Sequence, residues 1–155
     1  MAQPRKFSES LPMLLLRARE TSMAYFRPSL QERGLTEQQW RVLRALQESG
    51  ELSASGLSHA CVILAPSMTR ILRRLAEEGL VSSKRSRRDG RELTVRLTRA
   101  GERLIDEIAP ISERQYALIR ERLQPEKLEQ LHSLLHDFVE LDGEHLKGAA
   151  SGETQ

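Results

Sequence analysis

The sequence has a single cysteine, Cys61, which excludes an intramolecular disulfide framework and fits a reducing compartment. Aromatic residues make up only 4% of the chain, whereas Leu and Arg recur throughout, and that composition favours helices over a β-sandwich or barrel. Long apolar runs are missing too. None approaches the roughly 20 residues that span a bilayer, and "PMLLLRARE" is interrupted by Arg17 and Arg19. A soluble, cytoplasmic protein is expected. Neither a phosphate-cradling glycine loop nor a convergent set of nucleophile, base and orienting residue can be found, so no enzyme is expected. The 155 residues suffice for one domain with a modest core and are too few for two good ones.

What is present is helical periodicity. Leu16, Met23, Phe26 and Leu30 recur at helical spacing, which predicts a helix from Ser8 to about Arg33, closed by Gly34. Thr36 and Gln39 stand at capping-box spacing before the stripe Trp40, Leu43 and Leu46, predicting a second helix that ends before Gly50. Ser53 is positioned to cap a very short third helix. In "LAPSMTRILRRLAEEGL", Pro66 suits a first turn and Gly79 a C-terminal stop; Met68, Ile71, Leu72 and Leu75 fall on one side of the helix between them. "LVSSKRS" and "ELTVRLT" read as a two-stranded hairpin turning at Asp89-Gly90. Thr98 then caps a long helix to about Leu123, with a kink expected at Pro110 unless the freed carbonyl finds another partner. A last helix carries Leu128, Leu131, Leu135 and Phe138, with Leu134 and Leu141 beside them.

Charge is uneven along this plan. The net charge is only +2, yet residues 70–91 hold eight basic side chains against Glu77, Glu78 and Asp89. Such a patch on a near-neutral chain points to a polyanionic partner at one face. Two short helices, a tight break, a helix bearing hydroxyl and guanidinium groups, and then a basic hairpin describe a winged helix-turn-helix. A helix fits the DNA major groove, where Ser67, Thr69, Arg70, Arg73 and Arg74 can reach bases and phosphates. The hairpin, with Arg85, Arg87 and Arg88, can track the backbone. Its Arg91, oriented by Asp89, can enter a narrow minor groove, where the negative potential is strongest. A rival reading of the same patch is a non-specific architectural nucleic-acid-binding module.

"TEQQWRVLRAL", "LAPSMTRILRRLAEEGLV", the Asp89-x-Arg91 wing and "LTRAGERL" together resemble the multiple-antibiotic-resistance regulator (MarR) family, from about Leu11 to Leu141. Within it, "ARETSMAYFRPSLQERGLTEQQWRVLRAL" is similar to the repressors of homoprotocatechuate (3,4-dihydroxyphenylacetate) degradation operons. The resemblance implies a mainly α, six-helix protomer with a β-hairpin wing, acting as a homodimer on a palindromic operator of double-stranded DNA and released by an aromatic acid. It implies one unit over 11–146, in which 11–33 and 99–146 supply dimerisation helices and 35–98 the DNA-binding lobe. A flexible arm over 1–10 and a disordered tail over 147–155 flank it. The apolar seam of the last helix independently suggests a partner surface, or else packs on the long fifth helix.

Arg19 is the residue that stands out for ligand binding. It shares a helical face with Leu16, Met23 and Phe26, and a guanidinium there needs an anion. A ligand carboxylate would serve, with Tyr25, Trp40 or Tyr116 contributing ring contacts; Arg17 and Arg41 are further candidates for the same role. The competing reading is an ion pair with Glu37 or with Glu20 of a second copy. Cys61 is a further alternative, as an oxidation sensor, although small buried cysteines are usually inert. His132 and His136 share a helix face, but two ligands do not make a metal site, and neither metal nor cofactor is expected.

Overall fold

A computed structural model describes residues 6–85 and 93–149, with side chains through Leu141. A 3-10 turn at Phe7–Glu9 leads into α1 (Leu11–Gln31), so the first long helix begins three residues later than its periodicity suggests. Then follow α2 (Glu37–Ser49), β1 (Glu51–Ser53), α3 (Ala54–Cys61), α4 (Ala65–Glu77), β2 (Val81–Arg85), β3 (Leu93–Leu97), α5 (Arg99–Leu123) and α6 (Pro125–Ala149). Among the described residues the chain has six α-helices and forms a winged helix-turn-helix.

Local chemistry sets most of these boundaries. Thr36 Oγ1 accepts from the Gln39 N–H at 3.1 Å while the Gln39 side chain accepts from the Thr36 N–H at 2.8 Å, which is the capping box that starts α2. Gly50 ends that helix at φ +77 and Gly79 follows α4 at φ +71, in backbone conformations that cost other residues about 1–2 kcal/mol. Pro110 is accommodated inside a continuous α5.

The wing is a three-stranded antiparallel sheet in the order β1-β3-β2, rather than a two-stranded hairpin. β1 was not expected: its three residues are too short to show alternation, and its partner lies some forty positions away, with Leu52 opposite Val95. The β2–β3 register sets Val81 opposite Leu97 and Ser83 opposite Val95, turning Val81 and Val95 into the core.

The chain divides into two compact units, Met1–Glu113 and Arg114–Gln155, and the division falls inside α5. The reason is burial. Ile105 and Ile108 are fully enclosed in the same cluster as Leu43, Leu46, Leu57 and Leu75, so the first turns of α5 belong to the core of the first unit. From α1 only Leu30 belongs to that core, with Met23 packed against it, while Phe26 and Ser29 are also buried; Leu16, which shares their helical spacing, is 51% exposed. In the second unit Leu131, Leu134, Phe138, Val139 and Leu141 of α6 are exposed.

Candidate nucleic-acid interface and ligand cleft

The helix-turn-helix is assembled from small local contacts. Ser53 Oγ accepts from the Gly56 N–H at 3.1 Å and so starts α3. The helix stops where Val62 adopts the left-handed conformation (φ 53, ψ 53), its N–H donating to the His59 carbonyl at 3.2 Å and that of Ile63 to the Ser58 carbonyl at 3.0 Å. Ile63 is plugged into the core, whereas its neighbours Val62 and Leu64 are 86% and 80% exposed. One buried anchor therefore fixes a turn whose flanks face outward.

α4 begins directly after this turn, with Pro66 in its first turn and no side-chain cap. Met68, Ile71 and Leu75 bury one face. On the others Thr69, Arg70, Arg73 and Arg74 are exposed and Ser67 is half-buried. The Thr69 hydroxyl donates to the Ala65 carbonyl at 3.1 Å, which leaves its oxygen available as an acceptor. Arg74 is held by Glu78 at 2.8 Å and Glu77 at 3.8 Å. Arg70 and Arg73, by contrast, form no ion pair among the described residues. Two cations on the helix are thus unneutralised. Arg85 is exposed at the end of β2. Arg87, Arg88, Asp89 and Arg91 lie outside the described residues.

A second feature of the first unit is a cleft of about 410 Å³ between α1 and the start of α2, lined by Arg19, Arg27, Leu30, Gln31, Leu35, Thr36, Glu37, Gln38 and Arg41. Four charges close into a ring at its side. Arg19 donates to Glu20 at 2.9 Å and to Glu37 at 2.7 Å; Arg27 donates to the other oxygens of the same two carboxylates at 2.9 Å and 2.6 Å. Burial pulls the Glu37 carboxyl up, but the hydrogen bonds from Arg19 and Arg27 outweigh it and hold the group below the usual carboxylate range. The bonds Arg27 donates, to Glu37 first and to Glu20 second, raise its guanidinium in turn.

The anion that Arg19 demands is therefore already supplied within the chain. Arg27 was overlooked, although it stands seven positions after Glu20 on the same face of α1, a spacing that would have exposed the pairing. Arg41 also lines the cleft, and its Nη1 donates to the Cys61 carbonyl at 2.8 Å. Of the other residues considered for ligand binding, none lines this cleft. Arg17 is exposed on α1, Tyr25 is half-buried and Trp40 packs partly against the core. Tyr116 is exposed in the second unit.

Cys61 is enclosed at the end of α3, and burial pushes its thiol up, only partly offset by the charge of Arg41. His132 and His136 are exposed on α6. Among the described residues no group of three or more His, Cys, Asp or Glu side chains is placed to hold a metal.

Comparison with known proteins agrees with this architecture. The model of the MarR family matches residues 35–93. The homoprotocatechuate degradative operon repressor of Escherichia coli is 40% identical over 133 residues, covering 86% of this chain and 90% of that protein. The crystal structure of the transcriptional regulator PA4135 superposes with a TM-score of 0.82 at 43% identity, over 84% of this chain and 96% of the other. NadR in complex with 4-hydroxyphenylacetate superposes with a TM-score of 0.76 at 38% identity, over 89% and 96% of the two chains.

Proposed function

The chain belongs to the MarR family of transcriptional regulators, and from that premise we propose that it is a ligand-responsive repressor that binds a palindromic operator as a homodimer. A small aromatic carboxylate, such as 3,4-dihydroxyphenylacetate or 4-hydroxyphenylacetate, releases it and thereby controls aromatic catabolism genes. The observation that carries the reading is α4: a buried stripe fixes it beside the wing, while Arg70 and Arg73 are exposed and form no ion pair among the described residues.

Ser67, Thr69, Arg70, Arg73 and Arg74 enter the major groove, and Arg85, Arg87, Arg88, Asp89 and Arg91 follow the adjacent backbone and minor groove. The apolar side chains left exposed at the start of α1 (Leu11, Leu14, Leu16) and along α6 are the surfaces a second copy covers. Two copies related by a two-fold axis present two α4 helices about 34 Å apart, one turn of DNA. The dimerisation helices are 11–33 and 99–146 and the reading lobe is 35–98, with an arm over 1–10 and a tail over 147–155.

The ligand proposal draws on two relatives, a repressor of homoprotocatechuate degradation and NadR with its 4-hydroxyphenylacetate. Arg17, Arg19, Tyr25, Trp40, Arg41 and Tyr116 are the candidate contacts, with a guanidinium taking the carboxylate and the rings packing on the aromatic acid. Since Glu20 and Glu37 occupy Arg19, an acid that uses it displaces one of them. No metal or cofactor enters this account. The cytoplasm is the expected location; among the described residues no helix is long and apolar enough to cross a membrane.

Fluorescence anisotropy on the upstream intergenic DNA and on a scrambled duplex, with and without each acid, tests the reading. Selectivity on the order of 10³ or more at physiological salt, lost on adding one acid, is the expected result. Equal binding to both duplexes replaces it with the non-specific architectural module.

A further inference from the structure

Arg41 touches both the cleft and the helix-turn-helix joint: it lines the cleft with Arg19, Arg27 and Glu37, and its Nη1 reaches the Cys61 carbonyl at 2.8 Å. That carbonyl ends α3, where the last carbonyls have no partner within the helix and the helix dipole favours a cation. The next residue, Val62, is a β-branched side chain in a left-handed conformation, and α4 starts only three positions further on. Whatever holds the Cys61 carbonyl therefore helps to hold the direction in which α4 leaves the turn.

We propose that Arg41 is a positioning residue that couples the cleft to α4: an anion entering the cleft draws the guanidinium away from the Cys61 carbonyl and frees the end of α3. A carboxylate can win this competition because it offers the guanidinium an opposite charge and two acceptor oxygens in a bidentate geometry, neither of which a single carbonyl oxygen has. With the clamp gone, the turn at Val62 loses a restraint and α4 leaves its groove-reading position. The coupling is reciprocal: DNA that fixes α4 keeps Arg41 on α3 and lowers the affinity of the cleft for the anion by the same factor. This inference rests on the ligand-responsive reading for its trigger and on the observed hydrogen bond for its mechanism.

The chain carries its own reporter, because Cys61 is its only cysteine and is buried at this joint. The rate at which a thiol reagent modifies Cys61 in the full-length protein measures how often the end of α3 opens. In the wild type, 4-hydroxyphenylacetate at saturation is expected to accelerate labelling about fivefold or more, within the usual range of coupling between sites. In Arg41→Met, labelling is expected to be fast without any acid. Operator affinity should fall about three- to tenfold, and added acid should change neither. Direct calorimetric titration of each protein with the acid separates lost coupling from lost ligand binding. If the acid releases wild-type protein from DNA while Cys61 labelling stays constant, Arg41 is only a structural clamp and the coupling is refuted. An Arg41→Met protein with wild-type labelling and operator affinity refutes the clamp itself. Failure of every acid to release the wild type removes the ligand-responsive reading, and the variant's labelling and affinity still decide whether Arg41 positions α4. Should Arg41→Met fail to fold by circular dichroism, Arg41→Gln is read by the same criteria.

Discussion

Gly101, in the first turn of α5, lies against the carbonyl oxygen of Leu80: a Cβ placed on it would stand 2.3 Å from that oxygen and 3.2 Å from the Leu97 side chain. Leu80 is pinned there, since its carbonyl accepts from the Thr98 N–H at 3.1 Å while the Thr98 hydroxyl donates to the Gly79 carbonyl at 2.6 Å. The nearest atom is a backbone oxygen, so no side-chain rotation relieves the closest overlap. Gly101→Ala is expected to lower stability by about 1–3 kcal/mol, as overpacking generally does, and to lower the thermal midpoint by several degrees. An unchanged melting curve would show that the strand and helix separate freely.

Acid should weaken the link between α1 and α2. Glu37 has a lowered folded-state pKa, so its contribution is fully present above the ordinary carboxylate range and is lost as pH falls through the lowered value. Thermal melts between pH 7 and 3 check this. Glu37→Gln should lose about 0.5–1 kcal/mol at neutral pH, because the ring is partly solvated, and its stability should then fall less steeply toward pH 3 than that of the wild type. Parallel curves for the two proteins contradict the assignment.

The arginines of α4 should be unequal on DNA. Among the described residues Arg70 and Arg73 have no acidic partner to give up, whereas Arg74 must release Glu78. Replacing Arg70 or Arg73 with Ala is expected to weaken operator binding by about 1–3 kcal/mol if the side chain reads a base, or to reduce the salt slope by about 1 if it meets a phosphate. Arg74→Ala should do less. Anisotropy titrations at several salt concentrations rank the three, and a dominant Arg74 would require another orientation of the helix.

Oxidation should leave the protein on its operator. Cys61 is enclosed and burial disfavours its thiolate, the reactive form. Cys61→Ala is expected to bind the operator with wild-type affinity, and peroxide is expected to release neither protein. Release of the wild type alone would establish the sensor that burial argues against.

How much of this was legible in the sequence depended on the range of the interaction. Thr36 and Gln39 cap α2 as their spacing predicts because both bonds lie within one turn. Met68, Ile71 and Leu75 carry the core face of α4 because a 3.6-residue period survives any tertiary context. Ser53 and Thr98 likewise cap the helices they precede. Arg19 was legible as a charge in need of an anion, with Glu37 named among its possible partners; the choice of Glu37, 18 positions away, depends on how α1 approaches α2. β1 escaped for the same reason, being a strand only by virtue of β3. Gly101 reads as an ordinary helical glycine until the Leu80 carbonyl is seen beside it.

The ring of Arg19, Glu20, Arg27 and Glu37 has a consequence for how the molecule meets its target. Two positive and two negative charges within hydrogen-bonding distance cancel, and at separations beyond a Debye length of about 8 Å in physiological salt such a cluster has almost no field. The ring is electrically silent to an approaching polyanion, and Arg41 is left as the cleft's own charge. Long-range attraction then comes from charges such as Arg70 and Arg73, so torque during diffusion turns α4 toward the duplex before contact. Breaking the ring would do more than loosen α1 from α2; it would add a second pole of attraction and make unproductive collisions more frequent.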